Sequence, residues 1–133
     1  MIKTVGQQSE AKLVTRWLAK FHRTAPQWKR VRLGQVATKD EAKFYKVILR
    51  WADAIFLEDG QVWIVEGKLR PELGAIGQLE GYKKLFPVTP EFSMYKEWPI
   101  KMILLSPHLD LNIAELCKDK GITYEIWDYE NAV

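Results

Sequence analysis

The stretch WADAIFLEDGQVWIVEGKLR, residues 51–70, has the pattern of two apolar strands joined by a tight turn. Its Asp59-Gly60 dipeptide is a favoured two-residue connection of a β-hairpin. Counting outward from that turn pairs Asp53 with Glu66 across the two strands. Facing side chains have their Cβ atoms about 4.5–5.5 Å apart. The sequence therefore predicts two carboxylates held close together inside an otherwise apolar hairpin.

Two facing carboxylates repel each other, and this repulsion weakens a hairpin that has to carry them without a counter-ion. A divalent cation removes the conflict, and ligation by oxygen atoms alone favours Mg²⁺ or Mn²⁺. The carbonyl of Gly67, next to Glu66, could supply a further ligand. We interpret Asp53 and Glu66 as candidate metal ligands.

By the same count Trp51 faces Lys68, and strand alternation is expected to put both on the face that carries Asp53 and Glu66. The Lys68 ammonium could orient or help deprotonate a water bound to the metal, or offset charge that builds up on a phosphate. Two alternatives are an exposed hairpin with solubilising charges and a structural salt bridge between Lys68 and one acid. Apolar neighbours on both sides of each acid disfavour the exposed hairpin.

The composition is that of one globular domain covering residues 1–133. Hydrophobic residues make up 47% and charged residues 28% of the chain, which is usual for this class. The single cysteine, Cys117, excludes an internal disulfide and a Cys-based zinc or iron–sulfur site within one chain, so a reducing, cytoplasmic setting is expected. No segment has the length of a transmembrane helix or the pattern of a signal peptide, and no membrane partner is expected. The net charge of +3 permits nucleic-acid binding without requiring it.

The periodicity of the whole chain predicts the order α-β-β-β-α-β-α-β. The first helix is expected in SEAKLVTRWLAKFH, with Ser9 as its N-cap, and Pro87 is expected to end the second helix. An antiparallel meander followed by strand–helix–strand units predicts an α/β (α+β) fold, with a mixed central sheet flanked by helices. The predicted strands are residues 28–36, 44–57, 61–68, 100–106 and 122–129.

Asp53 followed by Glu66-x-Lys68 on adjacent strands resembles the PD-(D/E)xK nuclease superfamily. QLEGY, with Gln78 and Tyr82, is similar to the Q-x-x-x-Y helix motif of its RecB-type (RecB-like) nucleases. The order of motifs from residue 47 to 127 resembles the catalytic domain of NucS-type endonucleases.

The resemblance implies a restriction-endonuclease-like αβββαβ core and Mg²⁺-dependent hydrolysis of DNA phosphodiesters, with Mn²⁺ as a possible substitute. It implies that Lys68 positions the attacking water and that Gln78 and Tyr82 support the site. It also places a glutamate of the first helix near the metal, which Glu10 fits; a first-turn acid favoured by the helix dipole is the alternative for Glu10. The implied metal ligands are Asp53, Glu66, Gly67 through its carbonyl, and Glu10.

The sequence departs from this family in two respects. It lacks the cysteine cluster of the iron–sulfur RecB-like enzymes, which excludes that subgroup. Its 133 residues leave no room for the separate N-terminal DNA-binding domain of NucS-type proteins, so specificity for mismatches is not expected to carry over. Cutting two strands in concert would require so small a nuclease to act as a homodimer.

Basic side chains lie on segments that flank the predicted site, where they are expected to contact phosphates. Arg70, the nearest to Lys68, is the preferred contact, and Arg50 and Arg32 are further candidates. The other basic residues of these segments are Lys29, Arg30, Lys43, Lys46, Lys83 and Lys84.

The segment 87–99 has no regular period and carries Phe92, Tyr95 and Trp98. These rings could stack on bases, but we expect them to pack on the core or on a second subunit. Taken together, the patterns predict a DNA nuclease that uses a metal-activated water. A nuclease-fold module that binds DNA or protein without cutting is the alternative, and an RNA-directed nuclease is a more distant one.

Overall fold

The computed structural model describes residues 5–35 and 50–130. They form three α-helices, five β-strands and two short 3₁₀ helices. The predicted strand residues 44–49, together with Lys43 and Lys46, lie outside the described residues. In chain order the elements are α1 (Val5–Phe21), β1 (Gln27–Leu33), β2 (Arg50–Glu58), β3 (Gln61–Gly67), α2 (Leu73–Leu85), the 3₁₀ helices Phe86–Val88 and Pro90–Tyr95, β4 (Ile100–Ser106), α3 (Leu111–Asp119) and β5 (Ile122–Ile126).

The strands form one mixed sheet in the order β1-β2-β3-β4-β5. The β1–β2 and β2–β3 pairs are antiparallel, whereas β3–β4 and β4–β5 are parallel. Each parallel pair is joined by a helix, α2 or α3, because parallel neighbours require a crossover connection. The predicted α+β fold with a mixed sheet flanked by helices is confirmed.

An apolar core covers each face of the sheet, which is why the central strands have few polar positions. On one face α1 packs Val14, Trp17 and Leu18 against β2, β3 and β4. On the other face α2 and α3 contribute Leu79, Ile113 and their neighbours. The residues of β3 and β4 alternate between the two cores: Val62, Ile64, Met102 and Leu104 face α2 and α3, and Val65, Ile103 and Leu105 face α1.

The hairpin turn forms where the sequence predicts it. Asp59 and Gly60 both have left-handed backbone angles, φ +56° and φ +71°, as a tight two-residue turn requires. The register runs from Glu58↔Gln61 to Ala54↔Val65, so the pairing obtained by counting from the turn is confirmed over this length.

Regular alternation does not continue through Asp53. Ala52 packs in the α2-side core, whereas Ala54 packs in the α1-side core, although residues two apart on a regular strand share a face. The β1–β2 ladder lacks the Arg30–Asp53 pair at this level, and Arg30 has a left-handed φ of +50°. The expectation that alternation alone sets the face of Asp53 is therefore wrong, because both strands deviate here.

Two local predictions also need correction. Helix α1 begins at Val5, so Ser9 lies inside the helix and is not its N-cap. The residues before Ser9 carry no apolar period, so no local pattern marks this first turn as helical. The segment 87–99 is not irregular throughout, because it contains most of the two 3₁₀ helices. Its Phe92 is buried and packs on Phe86 with the ring centroids 5.1 Å apart, as expected for a segment that packs on the core.

Within residues 5–35 and 50–130, no helix has the length and apolar character needed to cross a membrane.

Candidate active site

The candidate site lies where β2 and β3 separate at the end of the hairpin. The last paired residues are Ala54 and Val65. Beyond them the Asp53 carboxylate enters the gap, and its Oδ2 accepts a hydrogen bond of 2.7 Å from the backbone N–H of Gly67. Here a side-chain hydrogen bond replaces the backbone pairing between the strands. This bond fixes Asp53 beside the end of β3.

Glu66 is the most deeply buried acid at this point, with 4% of its surface exposed. Its Oε1 atom is buried and has no hydrogen-bond partner among the described residues. Burial, the charge of Asp53 and a side-chain hydrogen bond with Asp53 together raise the pKa of Glu66 to about 9, whereas Lys68 opposes the shift. A buried carboxyl with an unused oxygen is costly, so Glu66 is a position that a ligand of suitable charge would stabilise.

Lys68 reaches back toward Glu66, with 3.8 Å between Nζ and Oε2. Its side chain is 17% exposed, so one part of it is open to the cleft. The Lys68 backbone N–H donates to the carbonyl of Leu105, which extends the parallel pairing of β3 and β4 to the site. The backbone of Lys68 is therefore fixed to β4 just beyond the end of β3, with its ammonium beside Glu66.

Glu10 joins the site from α1. Its Oε2 accepts a hydrogen bond of 3.0 Å from the backbone N–H of Leu69, so the carboxylate anchors the chain just after Lys68. The charge of Glu10 also contributes to the raised pKa of Glu66. The structure thus brings the predicted glutamate of the first helix to the site.

Gly67 allows α1 to approach. A Cβ atom at this position would lie 2.5 Å from Cγ2 of Val14 and 3.7 Å from Oδ2 of Asp53. With any other residue here, Val14 or the helix that carries it would have to shift.

Helix α2 closes the opposite side of the site. Tyr82 is buried, and its hydroxyl donates a hydrogen bond of 2.7 Å to the carbonyl of Trp51. Burial raises the pKa of Tyr82, and the charges of Glu66 and Asp53 raise it further. Gln78, one turn earlier, is exposed and lines the same space. Tyr82 thus supports the strand that carries Asp53.

These groups line one open cleft of about 430 Å³ between α1, α2 and the separated strands. The cleft brings together Asp53, Glu66 and Lys68 from the hairpin with side chains from both helices. Its lining residues are Glu10, Ala11, Val14, Thr15, Lys29, Arg30, Arg50, Trp51, Ala52, Asp53, Glu66, Lys68, Gln78 and Tyr82.

Only some of the basic residues that line the cleft are those that the sequence favours as phosphate contacts. Arg50 lines the cleft, whereas Arg32 and Arg70 are not among its lining residues. Lys29 and Arg30 do line it, although the sequence ranked neither above the other basic residues. The left-handed backbone at Arg30 carries no local sequence signal, because neither glycine nor asparagine marks it.

The donor set fits a hard divalent cation. Asp53 and Glu66 offer carboxylate oxygens, and hard cations take oxygen ligands. The Oε1 atom of Glu66 is buried without a hydrogen-bond partner in the described part of the chain. The described residues contain no group of three or more His, Cys, Asp or Glu side chains arranged to hold a metal. Backbone carbonyl, water and substrate oxygens would have to complete the ligand set, as is usual for Mg²⁺.

The architecture that carries this cleft occurs in solved structures. The chain shares its fold with a repair endonuclease. It superposes on a repair endonuclease from Pyrococcus abyssi with a TM-score of 0.60 and 16% sequence identity, over 96% of this chain and 50% of that chain. It superposes on EndoMS in a complex with double-stranded DNA with a TM-score of 0.55 and 17% identity, over 96% of this chain and 47% of that chain.

This chain therefore spans about half the length of either protein, and at these identities the likeness establishes the fold alone. No protein-family model matches the sequence, and no curated protein sequence matches it significantly.

Proposed function

We propose that this chain is a Mg²⁺-dependent DNA endonuclease of the PD-(D/E)xK superfamily, of the RecB-like and NucS type. The observation that carries the proposal is the buried Glu66 carboxyl, with an unused oxygen, beside Asp53 in an open cleft. The fold shared with a repair endonuclease and with EndoMS supports it. A structural ion pair between Lys68 and one acid would not account for the unused Glu66 oxygen beside an open cleft.

Asp53, Glu66 and the Gly67 carbonyl would hold the cation, with Glu10 as a further candidate ligand. A bound Mg²⁺ or Mn²⁺ would supply the Lewis acid that polarises the phosphodiester and lowers the pKa of the attacking water. The Gly67 N–H fixes the Asp53 carboxylate through a hydrogen bond of 2.7 Å. The ligand geometry would therefore be largely set before substrate arrives.

Lys68 supplies a fixed positive charge beside the reacting phosphate. Its ammonium, 3.8 Å from Glu66, can hold a water by hydrogen bonding. It can also offset the negative charge that develops on the phosphate oxygens during the reaction. Gln78 lines the cleft from α2 and can donate a hydrogen bond to the same water or to a phosphate oxygen.

The phosphate backbone of DNA would follow the basic rim of the cleft. Lys29, Arg30 and Arg50 line it, and cationic side chains neutralise phosphates without reading sequence. Two further arginines, Arg32 and Arg70, do not line the cleft. They would contact phosphates farther along the bound DNA strand. Concerted cleavage of both strands would need a homodimer.

The test is cleavage of labelled DNA substrates (single strand, duplex, mismatch, flap and four-way junction) with Mg²⁺, with Mn²⁺ and with EDTA. We expect cleavage that depends on the metal, and a loss of at least 100-fold in each of Asp53→Asn, Glu66→Gln and Lys68→Ala. Circular dichroism would establish that each variant is folded.

Two matched controls use the same sheet. Asp59→Asn removes an exposed carboxylate from the tip of the same hairpin, and asparagine tolerates its left-handed φ. Lys101→Ala removes an exposed lysine from β4. Both should cut like the wild type. Metal-dependent DNA retention without any cleavage would favour the alternative of a nuclease-fold binding module, and cleavage of RNA alone would make the substrate RNA.

A further inference from the structure

An exposed aromatic ring stands at the rim of the cleft. Trp51 lines the cleft and keeps 39% of its surface exposed, whereas Trp17 of the core is fully buried. The backbone carbonyl of Trp51 accepts a hydrogen bond of 2.7 Å from the Tyr82 hydroxyl. The indole thus presents an apolar surface to solvent from a fixed position, two residues before Asp53.

Arg30 covers this ring from the neighbouring strand. Its guanidinium carbon lies 5.0 Å from the ring centroid of Trp51, within the range of a cation–π contact. Arg30 reaches this position from a left-handed backbone, φ +50°, at the level where the β1–β2 ladder lacks a pair. Such a conformation is unfavourable for arginine and persists only where surrounding structure enforces it.

The pair matches the two parts of a nucleotide. A flat indole accepts any base by stacking, and a guanidinium binds a phosphate through paired N–H donors. Both residues line the cleft that contains Asp53. A base on Trp51 would take the place of the Arg30 guanidinium, which would then be available for the adjacent phosphate.

We propose that Trp51 and Arg30 form a nucleotide subsite, in which one unstacked base next to the bound phosphate stacks on Trp51 while Arg30 contacts its phosphate. The inference rests on the proposed function for the identity of its substrate as DNA. Because a base inside a duplex is stacked on both sides, the subsite takes a base that is unpaired or flipped out of the helix.

The first experiment measures binding without cleavage. Single-stranded oligonucleotides with 2-aminopurine are titrated with protein in EDTA at low salt, and fluorescence reports stacking of the probe. We expect quenching by the wild type and by Trp51→Phe. In Trp51→Ala we expect the quenching to vanish and Kd to rise roughly tenfold.

The matched control is Trp28→Ala. Trp28 has a similar exposure, 37%, but lies on β1 and packs edge-on against Phe92, and it is not among the residues that line the cleft. It should keep the wild-type Kd within twofold and the full quenching. Equal losses in Trp28→Ala and Trp51→Ala, or unchanged quenching in Trp51→Ala, would overturn the subsite.

Variants of Arg30 separate the side chain from its strained backbone. Arg30→Gly relieves the left-handed φ and should keep the thermal stability, yet it should raise Kd at least fivefold and reduce the salt dependence of binding. Arg30→Lys should recover part of the affinity. The control Arg16→Ala removes a cation–π pair with Tyr129 outside the cleft, with 4.7 Å between guanidinium and ring, and should bind like the wild type. An Arg30→Gly variant with wild-type affinity and salt dependence would overturn the role of Arg30.

Cleavage assays distinguish failure of the subsite from failure of the proposed function. If Asp53→Asn cuts like the wild type while Trp51→Ala loses the quenching, the proposed function fails and the subsite holds. If Asp53→Asn loses cleavage while Trp51→Ala keeps the quenching and the wild-type Kd, the subsite fails and the proposed function holds.

Discussion

Gly67 shows how one residue connects the fold to the site. Its missing side chain lets α1 pack on β3, and its backbone N–H holds the Asp53 carboxylate. A glycine in a strand often marks such a close approach of another backbone. Val14 is the residue that a side chain at this position would meet first.

We expect Gly67→Ala to lower the free energy of unfolding by about 1–3 kcal/mol, because its Cβ would overpack the buried Val14. Urea denaturation would measure the change. The double variant Gly67→Ala/Val14→Ala should lose less than the two single variants lose in sum, since Val14→Ala removes the clash. Additive losses would contradict the role assigned to this contact.

Glu66 determines how stability varies with pH in the metal-free protein. Its pKa is about 9 in the fold, against 4.5 as the ordinary value. A raised pKa means that its stabilising contribution is complete below pH 4.5 and is lost as the pH rises toward 9.

The free energy of unfolding in EDTA should therefore fall between pH 5 and 9, with a slope of up to about 1.4 kcal/mol per pH unit from this group. Glu66→Gln mimics the protonated carboxyl, so it should flatten the decline and exceed the wild type in stability at pH 8. Urea denaturation at five pH values would measure both. A wild-type profile that rises over this range would contradict the prediction.

Among the elements, α2 lines the cleft with Gln78 and Tyr82 and carries glycines within its length. Its buried residues, Ile76, Leu79 and Tyr82 among them, face the core. Gly77 is exposed and Gly81 is half-buried, and a Cβ at either position would meet nothing within 4 Å. Glycine inside a helix costs backbone entropy that alanine does not.

We expect Gly77→Ala and Gly81→Ala each to raise the free energy of unfolding by about 0.5–1 kcal/mol. Thermal or urea denaturation would measure the gain. Both variants should keep the same pH profile as the wild type, because neither touches Glu66. A loss of stability in either one would mean that its side of α2 is covered by other parts of the protein.

At the scale of the whole molecule, the cleft exists because α1, α2 and the separated strands meet at one end of the sheet. Glu10, Glu66 and Asp53 come from three elements, and the charges of Asp53 and Glu10 disfavour ionisation of Glu66. A cation that binds the folded state alone would relieve this conflict and stabilise the protein by mass action.

We expect Mn²⁺ at a hundredfold excess over its Kd to add about 2.7 kcal/mol of stability, which corresponds to a rise in Tm of roughly 5–10 °C for a domain of this size. At a fixed Mn²⁺ concentration the rise in Tm should grow with pH up to about 9, because Glu66 must lose its proton to bind the ion and Kd therefore falls as the pH rises. Asp53→Asn and Glu66→Gln should abolish it, and Asp59→Asn should retain it. An equal rise in all four proteins would place the ion elsewhere.

The sequence by itself determined the hairpin and the elements around it. The Asp59-Gly60 turn fixes the register by local backbone geometry, and that register holds from Glu58↔Gln61 to Ala54↔Val65, the pair just before Asp53 and Glu66. The predicted β4 agrees with the structure residue for residue, because a buried strand has an apolar pattern that a short window of sequence reveals.

Only the tertiary structure decided how the cleft is shaped. Glu10 meets Leu69 across 59 residues of sequence, and the deviation at Arg30 and Asp53 arises where two strands meet, so neither feature has a local signal. The need for glycine at residue 67 likewise comes from Val14 of a different element. Local patterns encode which elements form, whereas contacts between distant residues decide how closely those elements pack and which side chains share one cleft.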